Sequence, residues 1–292
     1  MSCICDNTYY CHSRISSKSP HINNILIQIE SFMKKIVLLF FVVFLINSKN
    51  ANAGPPFDTD DPVPVELRTW ELYLSSHSRF NKTFGEGTLP HFEVNYGVFK
   101  NAQLHLIVPA AYSSVHGEKT NYGIGDVEVG MKYRFIEETK YCPQIGVFPL
   151  CEIPTGKVEK ELGNGKTQIL LPVWLQKSFG EKWQAYGGYG YWVHPDNGKL
   201  NSNFAGMQVQ YKVCEKFSLG AEVFDEIPVD KELESVQKFN VGGIIDLSPK
   251  SHIIFSAGRS FSQETLFQYY VGYMFSLSKE EPSMNDKHNL LE

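Results

Sequence analysis

Long apolar runs are almost missing from these 292 residues. The one such run, 36–46, is too short for a bilayer-spanning helix, which needs about 20 apolar residues. Helical periodicity is scarce as well, so a membrane form of this chain would have to be a closed barrel. Cysteine is sparse. Cys3, Cys5 and Cys11 crowd the start, and Cys142, Cys151 and Cys214 are scattered later. An odd, dispersed set is no disulfide framework, and which two of the later three could pair stays open. Cys3, Cys5 and Cys11 have no second cluster to complete a metal site. Positive charge is also short. With the five basic and two acidic residues of 1–53 set aside, 22 Lys and Arg face 30 Asp and Glu. That balance argues against a nucleic-acid partner.

The short apolar run has the layout of a secretory signal. Met33 is followed by Lys34 and Lys35, and a polar stretch after the run ends in Ala51-Asn52-Ala53. A positive start, a short apolar centre and an A-x-A exit define a cleavable leader. We therefore expect a signal peptide at 33–53 and a mature chain from Gly54. Segment 1–32 would be an over-extended start, with Met33 the true initiator.

What the chain has in abundance is alternation. In "DVEVGMKYRF", Val127, Val129, Met131, Tyr133 and Phe135 alternate with Asp126, Glu128, Gly130, Lys132 and Arg134. "HFEVNYGV" and "AGMQVQYKV" repeat the pattern. A period of two is the signature of a strand with one apolar and one polar face. About twelve such segments fill 66–277, each close to the length that a tilted membrane strand needs. Short connections such as "FKNA", "EETKY", "FGEKW" and "VCEKF" alternate with longer ones near 79–87, 114–123, 154–165, 195–201 and 226–235. Short turns at one end and long loops at the other describe a bacterial outer-membrane barrel, the short side periplasmic. The fold class read here is all-β, a single antiparallel transmembrane barrel of about 12 strands after a signal peptide. A secreted β-sandwich or lipocalin-like barrel shares the alternation and differs in which face points inward.

The charged face decides for a wet lumen. Its candidate lining is Glu93, His105, Glu128, Lys132, Arg134 and Glu152, continued by Gln168, Gln208, Gln210, Lys212 and Glu222. Aromatics near strand ends, among them Trp70, Phe99, Tyr112, Phe135, Phe179 and Trp183, suit interfacial girdles in contact with outer-membrane lipid. The last segment, "YVGYMFSL", resembles the C-terminal signal read by the barrel-assembly machinery. It departs from that signal in carrying a polar tail, 278–292, expected to be disordered.

Proline marks one place in the wall. It cannot donate to a ladder. Folding the hairpin about 160–161 brings Pro149 and Pro172 roughly opposite each other, a candidate lateral weak point; Pro109 lies near the external end of its own strand.

Motifs for chemistry are few. "GNGKT" at 163–167 lacks the upstream glycine and the following helix of a phosphate-binding loop. "GIGD" and "GGYG" do not stand between a strand and a helix. No G-x-S-x-G accompanies the many histidines and serines, so the chain does not read as an enzyme, an outer-membrane hydrolase being the weaker rival. No cofactor or metal motif is present; Asp58, Asp60 and Asp61 in "FDTDDP" lack the glycine and bidentate glutamate of a calcium loop. Segment 54–65 reads as an extended, solvated periplasmic stretch, with folding into the lumen as the other possibility.

"AGPPFDTDDPVPVE", "GIGDVEVGMKYRF", "GVFPLCEIPTG", "LPVWLQKSFG", "YGGYGYW", "LGAEVF" and "FSAGRSF" resemble, in order, the blocks of the MetA-pathway of phenol degradation family. The resemblance covers nearly all of 54–277. It implies an outer-membrane channel or transporter for small solutes, aromatic or hydrophobic compounds among them. A non-conducting structural or surface-binding barrel is the alternative.

Overall fold

The computed structural model describes residues 56–230, 232–233, 235–261 and 265–278. The chain divides into 1–47 and 48–292, and every described residue belongs to the second part. The expected leader and the tail beyond Ser278 lie outside the described residues.

Fourteen strands follow one another: β1 (Thr69–Phe80), β2 (Phe84–Phe99), β3 (Ala102–Val115), β4 (Asn121–Ile124), β5 (Val127–Ile136), β6 (Gln144–Val147), β7 (Leu150–Ile153), β8 (Gln168–Phe179), β9 (Trp183–Val193), β10 (Ser202–Cys214), β11 (Phe217–Pro228), β12 (Val236–Ser248), β13 (Ser251–Ser260) and β14 (Phe267–Ser278). Every pairing among them is antiparallel, and β1 pairs with β14 over its whole length, from Thr69↔Ser278 to Phe80↔Phe267. On the other side, β3 pairs with both β4 and β5, and β8 with both β6 and β7. So β4 and β5 are one strand interrupted at Gly125-Asp126, and β6 and β7 one interrupted at Phe148-Pro149. The result is a closed antiparallel barrel of twelve strands, which leaves no unpaired edge.

The faces are inverted relative to a soluble barrel. Along β10, Ala205, Met207 and Val209 are exposed while Phe204, Gly206, Gln208 and Gln210 are buried. On the outside stand Leu104, Leu106 and Val108 of β3, Val223 of β11 and Val241 of β12. A soluble monomer rarely exposes an apolar surface that runs from strand to strand; lipid contact is the environment that such a band requires. Trp70, Phe99, Phe135, Phe179 and Trp183 are exposed at the short-turn end, with Trp70 against Tyr96 and Trp183 against Tyr211 at centroid separations of 4.4 and 4.6 Å. They form the girdle at that interface. Tyr112 stands at the other end, its hydroxyl 2.8 Å from Ser78 Oγ.

Two connections differ from the reading of the sequence. The expected loop near 79–87 is strand except for 81–83. There Asn81 Oδ1 accepts from the backbone N–H groups of Thr83 and Phe84 at 2.7 and 2.9 Å and closes a tight turn. The 137–143 turn, in contrast, is built up. Glu138 accepts from Lys177 Nζ, Ser178 N and Ser178 Oγ at 2.7, 2.9 and 3.0 Å and ties the turn to β8. Burial raises the Glu138 pKa, but these three bonds outweigh it and hold the carboxyl below its usual range. Cys142, Cys151 and Cys214 are free thiols.

Candidate functional site: the barrel lumen

The interior holds a cavity of about 1100 Å³. It extends from the short-turn end, where Lys182 and Lys216 line it, up to His77 and Gln268. Two inserted segments narrow the space.

The first is the stretch before β1. The expectation of a solvated segment at 54–65 needs correction for its described part: Thr59, Asp61 and Val65 are buried inside the barrel. From β1 the chain turns inward. Val65 N donates to Gln103 Oε1 at 2.6 Å, and Leu67 bridges Gly97. A side chain at Gly97 would collide with the backbone of Glu66, which is why this passage needs glycine. Farther in, Asp60 and Asp61 reach Lys132 of β5 at 3.1 and 3.8 Å. Beyond them the strap crosses to the opposite wall. Thr59 N and Asp58 N donate to the carboxylate of Glu222 on β11. Asp58 Oδ2 lies 3.4 Å from Lys238 Nζ and 3.2 Å from both Asn240 Nδ2 and Gln268 Nε2. Burial pushes the Asp61 carboxyl up to about 6; Lys132 pulls it down and neighbouring Asp60 pushes it up. For Asp58, burial also raises the pKa, but Lys238, His77 and the Gln268 hydrogen bond together hold it below the ordinary value.

The second segment is the external loop between β7 and β8. Gly156 N and Asn164 N both donate to the Asp126 carboxylate, at 2.8 and 2.6 Å. Leu162 is buried against Gly123, and Ser113 Oγ donates to Glu161 at 2.7 Å. The glycines of "GIGD" and "GNGKT" thus serve this fold-over. A Cβ on Gly163 would strike Asp126, and Gly165 has a positive φ of 69°.

The structure sorts the residues singled out from the sequence into three groups. Glu93, His105, Glu128, Lys132, Gln210 and Lys212 line the cavity. His105 is placed by Asn95 at 2.7 Å and Glu128 at 2.9 Å, with Glu93 at 3.6 Å. Gln208 and Glu222 are buried almost completely, Glu222 by its bonds to the strap. The remaining three lie elsewhere. Glu152 and Gln168 are cross-strand neighbours, Glu152 held by Asn164 of the external loop at 3.1 Å, and Arg134 bonds Gln144 at 3.0 Å. Asp58, Asp60, Lys238, Asn240 and Gln268 belong to the same network, although the sequence reading did not single them out as lining. Asn240 sits in "FNVGGIIDL", where strict alternation would have placed it on the polar face.

Sequence alternation also hid an inward apolar patch. Phe148, Leu170, Trp174, Phe204 and Phe224 are buried together, with Leu150 and Trp192 packed against them. Trp174 and Phe204 have centroids 5.4 Å apart, and Phe204 stacks on Phe224 at 5.3 Å. Lys132 and Lys238 cap the patch, each 4.9 Å from a ring centroid, over Phe148 and Phe224.

This patch borders the β6–β7 interruption. The ladder with β8 runs to Val147↔Val173 and resumes at Leu150↔Leu170. Continuing the register sets Phe148 opposite Pro172 and Pro149 opposite Leu171, so the two prolines are offset by one residue rather than face to face. On the β5 side one bond spans the gap, from Met131 N to Pro149 O at 3.2 Å. A comparable irregularity at Leu89-Pro90, between the pairs Thr88↔Ala111 and His91↔Pro109, is bridged by the Tyr122 hydroxyl on Leu89 O at 2.8 Å.

The inverted faces, the closure and the tight turns at one end define an outer-membrane β-barrel. Solved structures agree on the fold. The COG4313 outer membrane channel from Pseudomonas putida F1 superposes with a TM-score of 0.60 at 16% identity, covering 76% of this chain and 100% of that one. The NanC porin matches with a TM-score of 0.51 at 12% identity, over 70% of this chain and 100% of that one. The KdgM porin gives 0.50 at 9%, over 70% and 99%. No curated protein matches in sequence. Residues 63–275 match the family described as "Putative MetA-pathway of phenol degradation", and the chain belongs to that family.

Proposed function

We propose that this barrel carries small, largely apolar solutes, aromatic compounds among them, across the bacterial outer membrane, after export by a leader removed behind Ala53. The observation that carries this reading is the inward aromatic patch beside the interrupted β6–β7 ladder. A water-filled pore has no use for Phe148, Leu170 and Trp174 on its wall. An apolar solute does, because burying such surface is worth roughly 25 cal/mol per Å². The break at Phe148-Pro149 is the weak point through which the solute leaves sideways into lipid. The charged lining acts as a filter against free ions: Glu93, Glu128 and Lys132 mix both signs on one wall, which favours neither anions nor cations. Assembly proceeds through β14, whose pairing with β1 closes the barrel.

An enzymatic role has less support. Both nitrogens of His105 are occupied, by Asn95 and Glu128. The His252 Nδ1 is paired with Asp246, and its Nε2 meets no serine. A hydrolytic triad requires a serine at that second nitrogen. The strap across the lumen favours a second reading, a barrel that does not conduct at all.

Uptake of 1-N-phenylnaphthylamine by cells bearing the barrel tests the proposal. Expression should speed uptake, and Pro149→Val with Pro172→Val, which allows the ladder to close, should slow it. Equal uptake with and without the barrel would leave the non-conducting reading.

A further inference from the structure

We infer that the outer face of the wall, at the external ends of β12, β13 and β14, holds a site for lipopolysaccharide. Arg259 takes a phosphate of the lipid, and a furrow over Ala257 takes one of its fatty chains. The inference rests on the barrel standing in the outer membrane and not on what it carries.

Charge is scarce on the lipid-facing side. Among the described residues, two strand cations stand in outward positions. Lys177, near the short-turn end of β8, is answered by Glu138 at 2.7 Å. Arg259 lies one residue from the external end of β13, and no carboxylate among the described residues pairs with it. Register sets Arg259 between Phe239 of β12 and Phe267 of β14, both exposed. The outward carboxylate in this part of the wall, Asp225 of β11, is two strands away, opposite Gln237.

A long cation at a membrane surface normally reaches for water. Arg259 is laid against the barrel instead. Its guanidinium is 5.4 Å from the centroid of the Phe261 ring, and its Nε donates to Ser260 O at 3.5 Å. The ring takes one face of the guanidinium. The two terminal nitrogens donate to no described residue, and such a fork matches two oxygens of one phosphate.

The surroundings fix the level in the membrane. Phe80, Phe261 and Phe267 are exposed there, with Phe80 and Phe267 at a centroid separation of 6.1 Å. Exposed aromatics at strand ends mark the headgroup layer. In the outer leaflet that layer holds the phosphates of lipid A. Directly below Arg259 on the same face is Ala257, exposed, with Val241 opposite it on β12 and Tyr269 on β14. Adjacent strands are about 4.8 Å apart, so a small residue between two larger ones leaves a furrow fit for a hydrocarbon chain. Two residues span about 7 Å along a strand, which sets the phosphate just above the chain.

Native mass spectrometry of the full barrel, purified in mild detergent and titrated with defined lipids, tests the site. The probes are bisphosphorylated lipid A, the same lipid without its phosphates, phosphatidylglycerol and inorganic phosphate. Lipid A should bind at least about tenfold more tightly than its dephosphorylated form, the ratio that a charge-assisted hydrogen bond supplies. Arg259→Gln should bring the two to one level. Arg259→Lys keeps the charge and loses the fork, and should fall between. Ala257→Phe fills the furrow and should weaken both forms alike. Both positions face lipid, so every variant should still migrate as a heat-modifiable band. Equal binding of lipid A by the unaltered chain and by Arg259→Gln would overturn the site. Phosphatidylglycerol binding as tightly as lipid A, or displacement of lipid A by an equal concentration of inorganic phosphate, would overturn the assignment to lipopolysaccharide.

Discussion

The wall from β9 to β14 is regular, each strand paired along its length, whereas the wall from β3 to β8 is interrupted twice, at Gly125-Asp126 and at Phe148-Pro149. Both walls grip the same strap, and they do it differently. On the regular wall Asp58 and Thr59 meet Glu222, Lys238, Asn240 and Gln268, supplied by three strands. On the interrupted wall the charge of Asp60 and Asp61 is answered at close range by Lys132. The regular wall spreads its hold over amides whose loss can be shared. The interrupted wall concentrates it in one buried lysine. The same wall also carries the folded-in external loop, where one carboxylate, Asp126, takes two backbone bonds and Ser113 and Glu152 add one each.

That contrast can be broken most directly at Lys132. Lys132→Met leaves two carboxylates in the lumen without their cation, and breaking a buried ion pair from one side costs about 3–5 kcal/mol. The strap should leave its berth, and planar-bilayer recordings should show conductance well above that of the unaltered chain. Adding Asp60→Asn and Asp61→Asn to that change removes the uncompensated charge, and the conductance should fall back.

Asp126→Ala should have the next largest effect. Two backbone donors lose a charged acceptor, at about 1.5–3 kcal/mol per bond. Limited proteolysis within 154–167 should speed up by more than tenfold, with little change in conductance by the strap route.

On the regular wall the same kind of change should matter less. Asn240→Ala removes bonds of 2.7 Å to Glu222 and 3.2 Å to Asp58, yet Lys238 and Gln268 still hold Asp58. A cost near 1 kcal/mol is expected, seen as a several-fold drop in hydrogen-exchange protection at Thr59 N and none at Val65 N. A drop as large as that produced by Lys132→Met would erase the distinction between the two walls.

The smallest effect is a pH dependence of strap docking, and the two walls contribute with opposite sign. The Asp61 pKa is raised to about 6 by burial, so its contribution is complete below about 4 and lost as pH rises through 6. The Asp58 pKa is lowered, so its contribution is present above its ordinary value near 3.8 and lost as pH falls below it. Protection of the strap amides should therefore be highest near pH 4, falling off below it and declining between about pH 4 and 6. Asp61→Asn should abolish the decline on the alkaline side and leave the acid side intact. A profile unchanged by that substitution would count against burial as the cause.

The sequence was a good guide where structure is local. Alternation in "DVEVGMKYRF" and "AGMQVQYKV" predicted β5 and β10, and short turns such as "VCEKF" closed their hairpins as expected. It was a poorer guide at Phe148, Pro149 and Pro172, where register rather than composition decides what stands opposite what. A shift of one residue separates two facing prolines from a proline facing Phe148. Trp174, Phe204 and Phe224 occupy alternate positions meant by pattern for polar residues, and a periodicity argument has no means of telling an inward aromatic patch from an outward one. Asp58, Asp60 and Asp61 were visible as a cluster, but their partners on β5, β11, β12 and β14 were not.

By itself, the sequence determined the period of two, the number of spans and the charge of one face of each strand, because these depend on neighbours two residues apart along the chain. Tertiary structure alone decided what stands opposite what across β6, β7 and β8, which lumen groups meet one another, and that the strap lies inside. Those outcomes hang on contacts between residues as far apart as Asp58 and Gln268, 210 positions along the chain. No local pattern encodes them; they follow from closing the sheet, which turns one face of every strand to lipid and leaves the other to find partners in the lumen.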